Sequence, residues 1–142
     1  MAEHLLPKKI LLQIATPEGS VVEQEVEEVV LPGSLGCLGV LPGHTPLLTS
    51  LKIGEIKYRV GDKIKFLVVS WGFVEILPDR VTVLADVAER PEDIDVASAE
   101  EAKKRAEQML REPDSDFRAA QAQLEQAIAR IQVAGKKSAA AR

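Results

Sequence analysis

The sequence predicts a mainly β N-terminal domain, an antiparallel β-sandwich or flattened barrel, followed by a C-terminal α-helical hairpin. Two observations carry this prediction. From Lys52 to Val69 apolar and charged residues alternate around a Gly61-Asp62 turn, the signature of a β-hairpin. After Glu89 the pattern changes. Small and apolar residues recur at helical spacing, interrupted at Pro113 and ended by Gly135. The boundary is expected at Glu89, giving residues 1–89 as the sheet domain and 90–142 as the hairpin.

The strands follow in order. Lys9-Ile10-Leu11-Leu12-Gln13-Ile14 is a short aliphatic run closed by Pro17-Glu18-Gly19. Val21 to Leu31 is rich in Val and Glu, with Val22, Val26 and Val30 separated by acids. Ile56, Tyr58 and Val60 point one way, Lys57 and Arg59 the other; Ile64, Phe66 and Val68 repeat the pattern on the return strand, opposed by Lys63 and Lys65. Further strands are expected from Phe73 to Leu77 and, beyond Pro78-Asp79, from Val81 to Ala85. Many short strands with intervening turns indicate a sandwich or barrel.

In the second half, Ser98-Ala99-Glu100-Glu101 has the form of a capping box. Val96, Ala99, Ala102, Ala106, Met109 and Leu110 then fall at helical spacing. Pro113 stops this helix. Asp114 or Ser115 is expected to cap the next, which carries Phe117, Ala120, Leu124, Ala127, Ile128 and Ile131 on one face. Gly135 ends it, and the tail from Lys136 is expected to fray. The facing stripes are dominated by alanine, and a buried methylene contributes only about 0.8 kcal/mol. Such a seam fits a hairpin held on the sandwich and equally one that opens and packs elsewhere. The first helix is acidic and the second, with its tail, basic, so the two are expected to neutralise each other in part when folded together.

Composition bounds the function. The chain has 142 residues, 46% of them hydrophobic and 4% aromatic, so its core is aliphatic. A net charge of -4 argues against nucleic-acid binding, and no apolar stretch approaches the roughly 20 residues of a membrane span. A soluble cytosolic protein without direct membrane insertion is expected. With one cysteine and two histidines, His4 and His44, neither a disulfide nor a histidine-paired metal site is available. Cys37 and His44 lie in a Gly/Pro-rich loop without the strand-turn-helix setting of a nucleophile. Glu23, Glu25, Glu27 and Glu28 read as a solvated charge run. Gly33, Gly36 and Gly39 match neither phosphate-loop pattern. No catalytic residue, metal or cofactor is expected, and hence no enzyme activity of the chain itself.

The segment Leu31-Pro32-Gly33-Ser34-Leu35-Gly36-Cys37-Leu38-Gly39-Val40-Leu41-Pro42-Gly43-His44-Thr45-Pro46-Leu47 is the most unusual. Glycines and prolines make it rigid and irregular, and the exposed apolar side chains expected of Leu35, Leu38, Val40 and Leu41 favour a partner surface. This segment resembles the glycine-rich loop and Pro-Gly-His-x-Pro-Leu signature of the epsilon subunits of bacterial-type F1Fo ATP synthases. Gly72-Phe73-Val74-Glu75-Ile76, Val81-Thr82-Val83-Leu84-Ala85-Asp86 and Ala88-Glu89 resemble that family's closing strands; Trp71 stands where the family usually has a second glycine.

The resemblance implies a non-catalytic rotor subunit of the central stalk. Its sheet domain would dock on the gamma subunit and the c-ring, with Leu35, Cys37, Leu38, Val40, Leu41 and His44 as interface candidates. Its hairpin would fold down on the sandwich or extend into the alpha/beta hexamer and inhibit ATP hydrolysis, using Arg118, Arg130, Lys136 and Lys137. The implied location is peripheral, on the cytoplasmic face of the inner membrane, or on the thylakoid membrane in a photosynthetic source. Some family members bind ATP through an Ile/Leu-Asp-x-x-Arg-Ala motif. Here Ile94-Asp95-Val96-Ala97-Ser98-Ala99 keeps Asp95 but has Ser98 in place of the arginine, leaving Arg105 and Arg130 as the remaining cations for a weak nucleotide site. The alternative is a stand-alone nucleotide-sensing β-domain with a helical lid.

Overall fold

The computed structural model describes residues 6–136 and the backbone of residues 139–140. Eight strands build the sheet domain: β1 (Ile10–Thr16), β2 (Gly19–Val26), β3 (Glu28–Gly33), β4 (Gly36–Val40), β5 (Leu47–Leu51), β6 (Gly54–Val60), β7 (Lys63–Leu77) and β8 (Arg80–Glu89). A 3-10 turn at Pro91–Asp93 leads to α1 (Val96–Arg111) and α2 (Phe117–Ala134), and Ala139–Ala140 form a two-residue strand, β9. The strands run β2-β1-β8-β7-β5-β3-β4, with β6 bonded to both β3 and β7. Pairing is antiparallel throughout except between β1 and β8.

The 15 residues of β7 make the sheet a sandwich. Its first half pairs with β6 and its second half with β5. Between them, Trp71 adopts φ 49° and Gly72 φ 134°, bending the strand so that the two halves face each other. A Cβ on Gly72 would lie 2.0 Å from Leu84 O and 2.8 Å from Ala85 Cα, so the neighbouring strand β8, whose Ala85 pairs with Gly72, leaves no room for a side chain. The expected strand from Phe73 to Leu77 is the second half of this longer one.

Side-chain phase changes at each bend, and one reading from the sequence is corrected by it. Val22 and Val26 are buried, and the next buried residues are Val29 and Leu31, with Val30 half-buried between them. Glu27, between β2 and β3, uses up one residue: its N–H donates to Arg59 O at 2.9 Å and its carboxylate accepts from Gly61 N–H at 2.8 Å. In β7, Leu67 and Val69 face the sandwich core, while Phe66 and Val68 face the helices. The register opposes Ile56 to Leu67, so Ile64, Phe66 and Val68 lie on the other face from Ile56 and Tyr58. Helices cover that face too, and both phases of the strand are therefore apolar.

The predicted irregular segment around Gly33 to Gly39 is an ordered hairpin. β3 and β4 pair from Val29–Val40 to Gly33–Gly36, with Ser34-Leu35 as a two-residue turn and Gly36 at φ 135°.

The helix starts also differ. Asp95, not Ser98, caps α1: its carboxylate accepts from Ser98 N–H at 3.1 Å. Asp116, not Asp114 or Ser115, caps α2 by accepting from Ala119 N–H at 3.2 Å. Ser115 instead donates to Glu112 O at 2.9 Å and to Met109 O, tying off the end of α1. Gly135 ends α2 as expected. The alanine seam is present, with Ala99 and Ala106 of α1 and Ala120 and Ala127 of α2 buried. Phe117, the first residue of α2, is turned out to solvent, which corrects its expected place on the same face as Ala120 and Ala127.

Candidate functional site

The outer face of the sandwich carries an apolar row. Ser50 pairs with Phe73 and Phe73 with Leu84, and directly opposed residues share a face. Leu48, two residues from Ser50, joins the same face. Leu48, Phe73 and Leu84 are 71%, 61% and 59% exposed, an unusual concentration on a sheet whose other face is fully covered. Ser34 and Ser50 share a hydrogen bond of 2.6 Å between their hydroxyls, which fixes the turn bearing Leu35 beside this row. Leu35 is wholly exposed. Phe73, Leu84 and Leu48 did not emerge from sequence reasoning. Their signal was apolar residues in both phases, Phe73 beside Val74 and Leu84 beside Val83, where one phase already suffices for the core.

The loop residues singled out in the sequence do not form one cluster. Leu35 lies at one end of β4, and Leu41 and His44 lie at the other, about 16 Å away for five residues of strand. At that second end, Gly43 N–H donates to Pro78 O at 2.7 Å, and His44 Nδ1 lies 2.6 Å from Thr45 O. Leu41 is exposed there. Cys37 is exposed and Leu38 half-buried against the core. Val40 is fully buried, which corrects the expectation that it faces outward: its partner Val29 also points inward, and paired residues share a face.

The hairpin seats on β7 through α2. Val133, Val68 and Ile94 form a small second core, with Phe66, Ala129 and Ala134 against it. Around it stand two ion pairs. Arg130 Nε and Nη2 donate to the two Glu89 carboxylate oxygens at 2.8 and 3.1 Å; Lys136 Nζ donates to Glu55 at 2.6 Å and lies 5.3 Å from the Phe66 ring centroid. The remaining ion pair among the described residues, Arg59–Glu28, is internal to the sheet domain. Arg130 of α2 and Lys136 just beyond it are thus paired with sheet carboxylates rather than with α1, which corrects the charge pairing expected between the helices. Within the tail, Ala139 and Ala140 pair with Ile64 and Lys63. Lys137 lies outside the described residues.

Of the nucleotide candidates, Arg105 and Arg130 share a cleft of about 320 Å³ with Ala102, Gln123, Gln126 and Ala127. Asp95 and Ser98 do not line it. Asp95 is occupied as a helix cap, and Arg130 is held by Glu89. Arg118 lines a separate cleft with Trp71, Lys52 and Ile53 at the bend of the sheet. At the sandwich end beneath the 3-10 turn, Tyr58, Lys65, Arg90 and Glu92 border a polar cavity of about 230 Å³. Burial pushes the Tyr58 phenol above its ordinary range; Arg90 pulls the other way and Glu92 adds to the rise. Among the described residues, no group of three or more His, Cys, Asp or Glu is placed to hold a metal ion.

Comparison with known proteins places this arrangement. Residues 9–91 match the family model of the β-sandwich domain of the ATP synthase delta/epsilon chain, and residues 92–135 match its long α-helix domain. The ATP synthase epsilon chain 2 of Syntrophotalea carbinolica is 48% identical over 134 residues, spanning 92% of this chain and 97% of that one. The chain belongs to the ATP synthase epsilon-chain family. The epsilon chain of Koribacter versatilis is 57% identical over 98 residues, 69% of each chain. In fold, this epsilon-family chain is similar to a chain in the Euglena gracilis mitochondrial ATP synthase (OSCP/F1/c-ring), with a TM-score of 0.82 at 22% identity over 96% of this chain and 87% of that one. A chain of the Tetrahymena thermophila central stalk and c-ring gives 0.61 at 13% identity, over 92% of this chain and 99% of that one. As an epsilon subunit it is part of the ATP synthase, a membrane-associated enzyme complex, and no helix among the described residues is long and apolar enough to cross a membrane. This membership does not favour a stand-alone nucleotide sensor.

Proposed function

We propose that this epsilon-family chain is a non-catalytic coupling and regulatory subunit of the rotor, on the cytoplasmic face of the membrane. Residues 1–89 dock on the gamma subunit and the c-ring during proton-driven ATP synthesis, and residues 90–142 restrain ATP hydrolysis by reaching into the alpha/beta hexamer. The observation that carries the docking half is the exposed row of Leu48, Phe73 and Leu84 beside Leu35. Three large apolar side chains on one rigid face fit a protein partner, and a buried aromatic anchor typically contributes more than about 2 kcal/mol to such an interface. Leu41 and His44, at the far end of β4, are in position to meet a second partner simultaneously. That separation suits a subunit lodged between gamma and the ring.

The test is gel filtration of the full chain with purified gamma. Phe73→Asp with Leu84→Asp is expected to abolish the complex, whereas Leu41→Asp leaves it intact and weakens retention on the c-ring. Complex formation by the double variant at the unmodified affinity refutes this docking face. For the regulatory half, removal of residues from Asp114 onward is expected to raise hydrolysis by reassembled F1; an unchanged rate refutes inhibition.

A further inference from the structure

The hold of the hairpin on the sheet is small and localised. α1 packs mainly on α2, and α2 meets the sheet chiefly along β7, with lesser contact on β6 and the 3-10 turn. The apolar part of that seat consists of Val133 with its half-buried neighbours Ala129 and Ala134, set on Val68, Phe66 and Ile94. Alanine and valine side chains give such a contact little area. Flanking it are Arg130 on Glu89 and Lys136 on Glu55, the first bidentate and mostly shielded, with side chains 19% and 22% exposed. Glu89 is the last residue of β8 and Glu55 lies near the start of β6. Two carboxylates on separate strands therefore reach the last turns of α2 and the residue just beyond its cap. The two-residue strand at Ala139–Ala140 continues the same attachment onto the first residues of β7.

We propose that Glu55 and Glu89 are a carboxylate catch that holds the hairpin down, and that the catch competes for the cations used in inhibition. The proposal rests on the hairpin being inhibitory, as in the proposed function. Arg130 and Lys136 have no second set of charges to offer: while Glu89 and Glu55 hold them, they are unavailable to an acidic partner surface. Each cation therefore acts in both states. Substituting Arg130 or Lys136 weakens inhibition and docking together and gives an ambiguous result, whereas substituting the carboxylates loosens docking and leaves the inhibitory charges in place. The catch is also unequal. The Lys136–Glu55 pair is the more exposed of the two and yields first to salt; the Arg130–Glu89 fork, with two charge-assisted hydrogen bonds, persists.

The experiment uses the full chain with Glu55→Gln, Glu89→Gln and both together. Glutamine keeps size and one acceptor. Glu28→Gln removes the same charge from the Arg59 pair inside the sheet and serves as the control. Hydrogen exchange of residues 127–134 reads docking, and the fluorescence of Trp71, the single tryptophan, reads the cleft it shares with Arg118, Gln121, Ala122 and Glu125 of α2. Loss of a charge-assisted pair of this kind corresponds to a shift of about ten-fold or more in an opening equilibrium. The double variant is expected to exchange residues 127–134 about that much faster, with β1 and β8 unchanged and the control like the unmodified chain. F1 rebuilt with the double variant is expected to hydrolyse ATP more slowly than F1 with the unmodified chain. Unchanged exchange in the double variant overturns the catch. Faster exchange with no change in hydrolysis overturns the competition and places the fault in the inhibitory role of the hairpin.

Discussion

Gly72→Ala tests whether the bend in β7 is what makes the sheet a sandwich. The new Cβ would sit 2.0 Å from Leu84 O, whereas a carbon and a carbonyl oxygen settle at about 3.3 Å or more. The strands must therefore part by roughly 1.3 Å at this point. A displacement of that size takes a ladder hydrogen bond on either side out of range, each contributing about 0.5–1.5 kcal/mol. The φ of 134° adds strain of about 1–3 kcal/mol for a residue with a Cβ. The sum is about 4 kcal/mol, a large part of the roughly 5–15 kcal/mol that holds a domain folded, and corresponds to a fall in Tm on the order of 10 °C. Gly61 is the control. It too has a positive φ, 61°, but a Cβ there meets nothing within 4 Å, so Gly61→Ala is expected to cost only about 1 kcal/mol. Urea unfolding followed by circular dichroism measures both. If Gly72→Ala costs no more than Gly61→Ala, then β8 does not press on the bend, and the close approach of the two paired strands at Gly72 is not what shapes the sandwich.

Two further predictions follow from single side chains. Tyr58 has a phenol pKa raised above 10.0 mainly by burial, so its contribution is fully present at neutral pH and is lost as the pH climbs from the unfolded value through the folded one. Alkaline titration of stability should show a decline above about pH 10 that Tyr58→Phe removes; an identical decline in the variant assigns it to another group. Asp95→Ala removes the cap of α1 and is expected to cost about 1 kcal/mol, seen as faster hydrogen exchange over residues 96–99. If exchange there does not change, the Asp95–Ser98 hydrogen bond contributes nothing to holding the helix start.

The sequence alone determined the architecture, because the signals involved are local. Alternation around Gly61-Asp62 required a β-hairpin, the change of period after Glu89 required helices, and Pro113 and Gly135 required their ends. Small residues at Ala99, Ala106, Ala120 and Ala127 specified the seam between them. The Pro-Gly-His segment pointed to the family. Tertiary structure decided the rest. Alternation shows that a strand has two faces without showing which one is inside, and each bend shifts the phase by one residue; hence Val29 rather than Val30 is buried, and Phe66 and Val68 face the helices. Whether Leu35 and Leu41 lie together depends on where the ends of β4 fall. The partners of Arg130 and Lys136 were beyond any local signal: Glu89 is 41 residues from Arg130 and Glu55 is 81 from Lys136, and charges so far apart in the chain meet only because β6, β7, β8 and α2 are brought side by side by the packing of apolar surfaces that carry no charge.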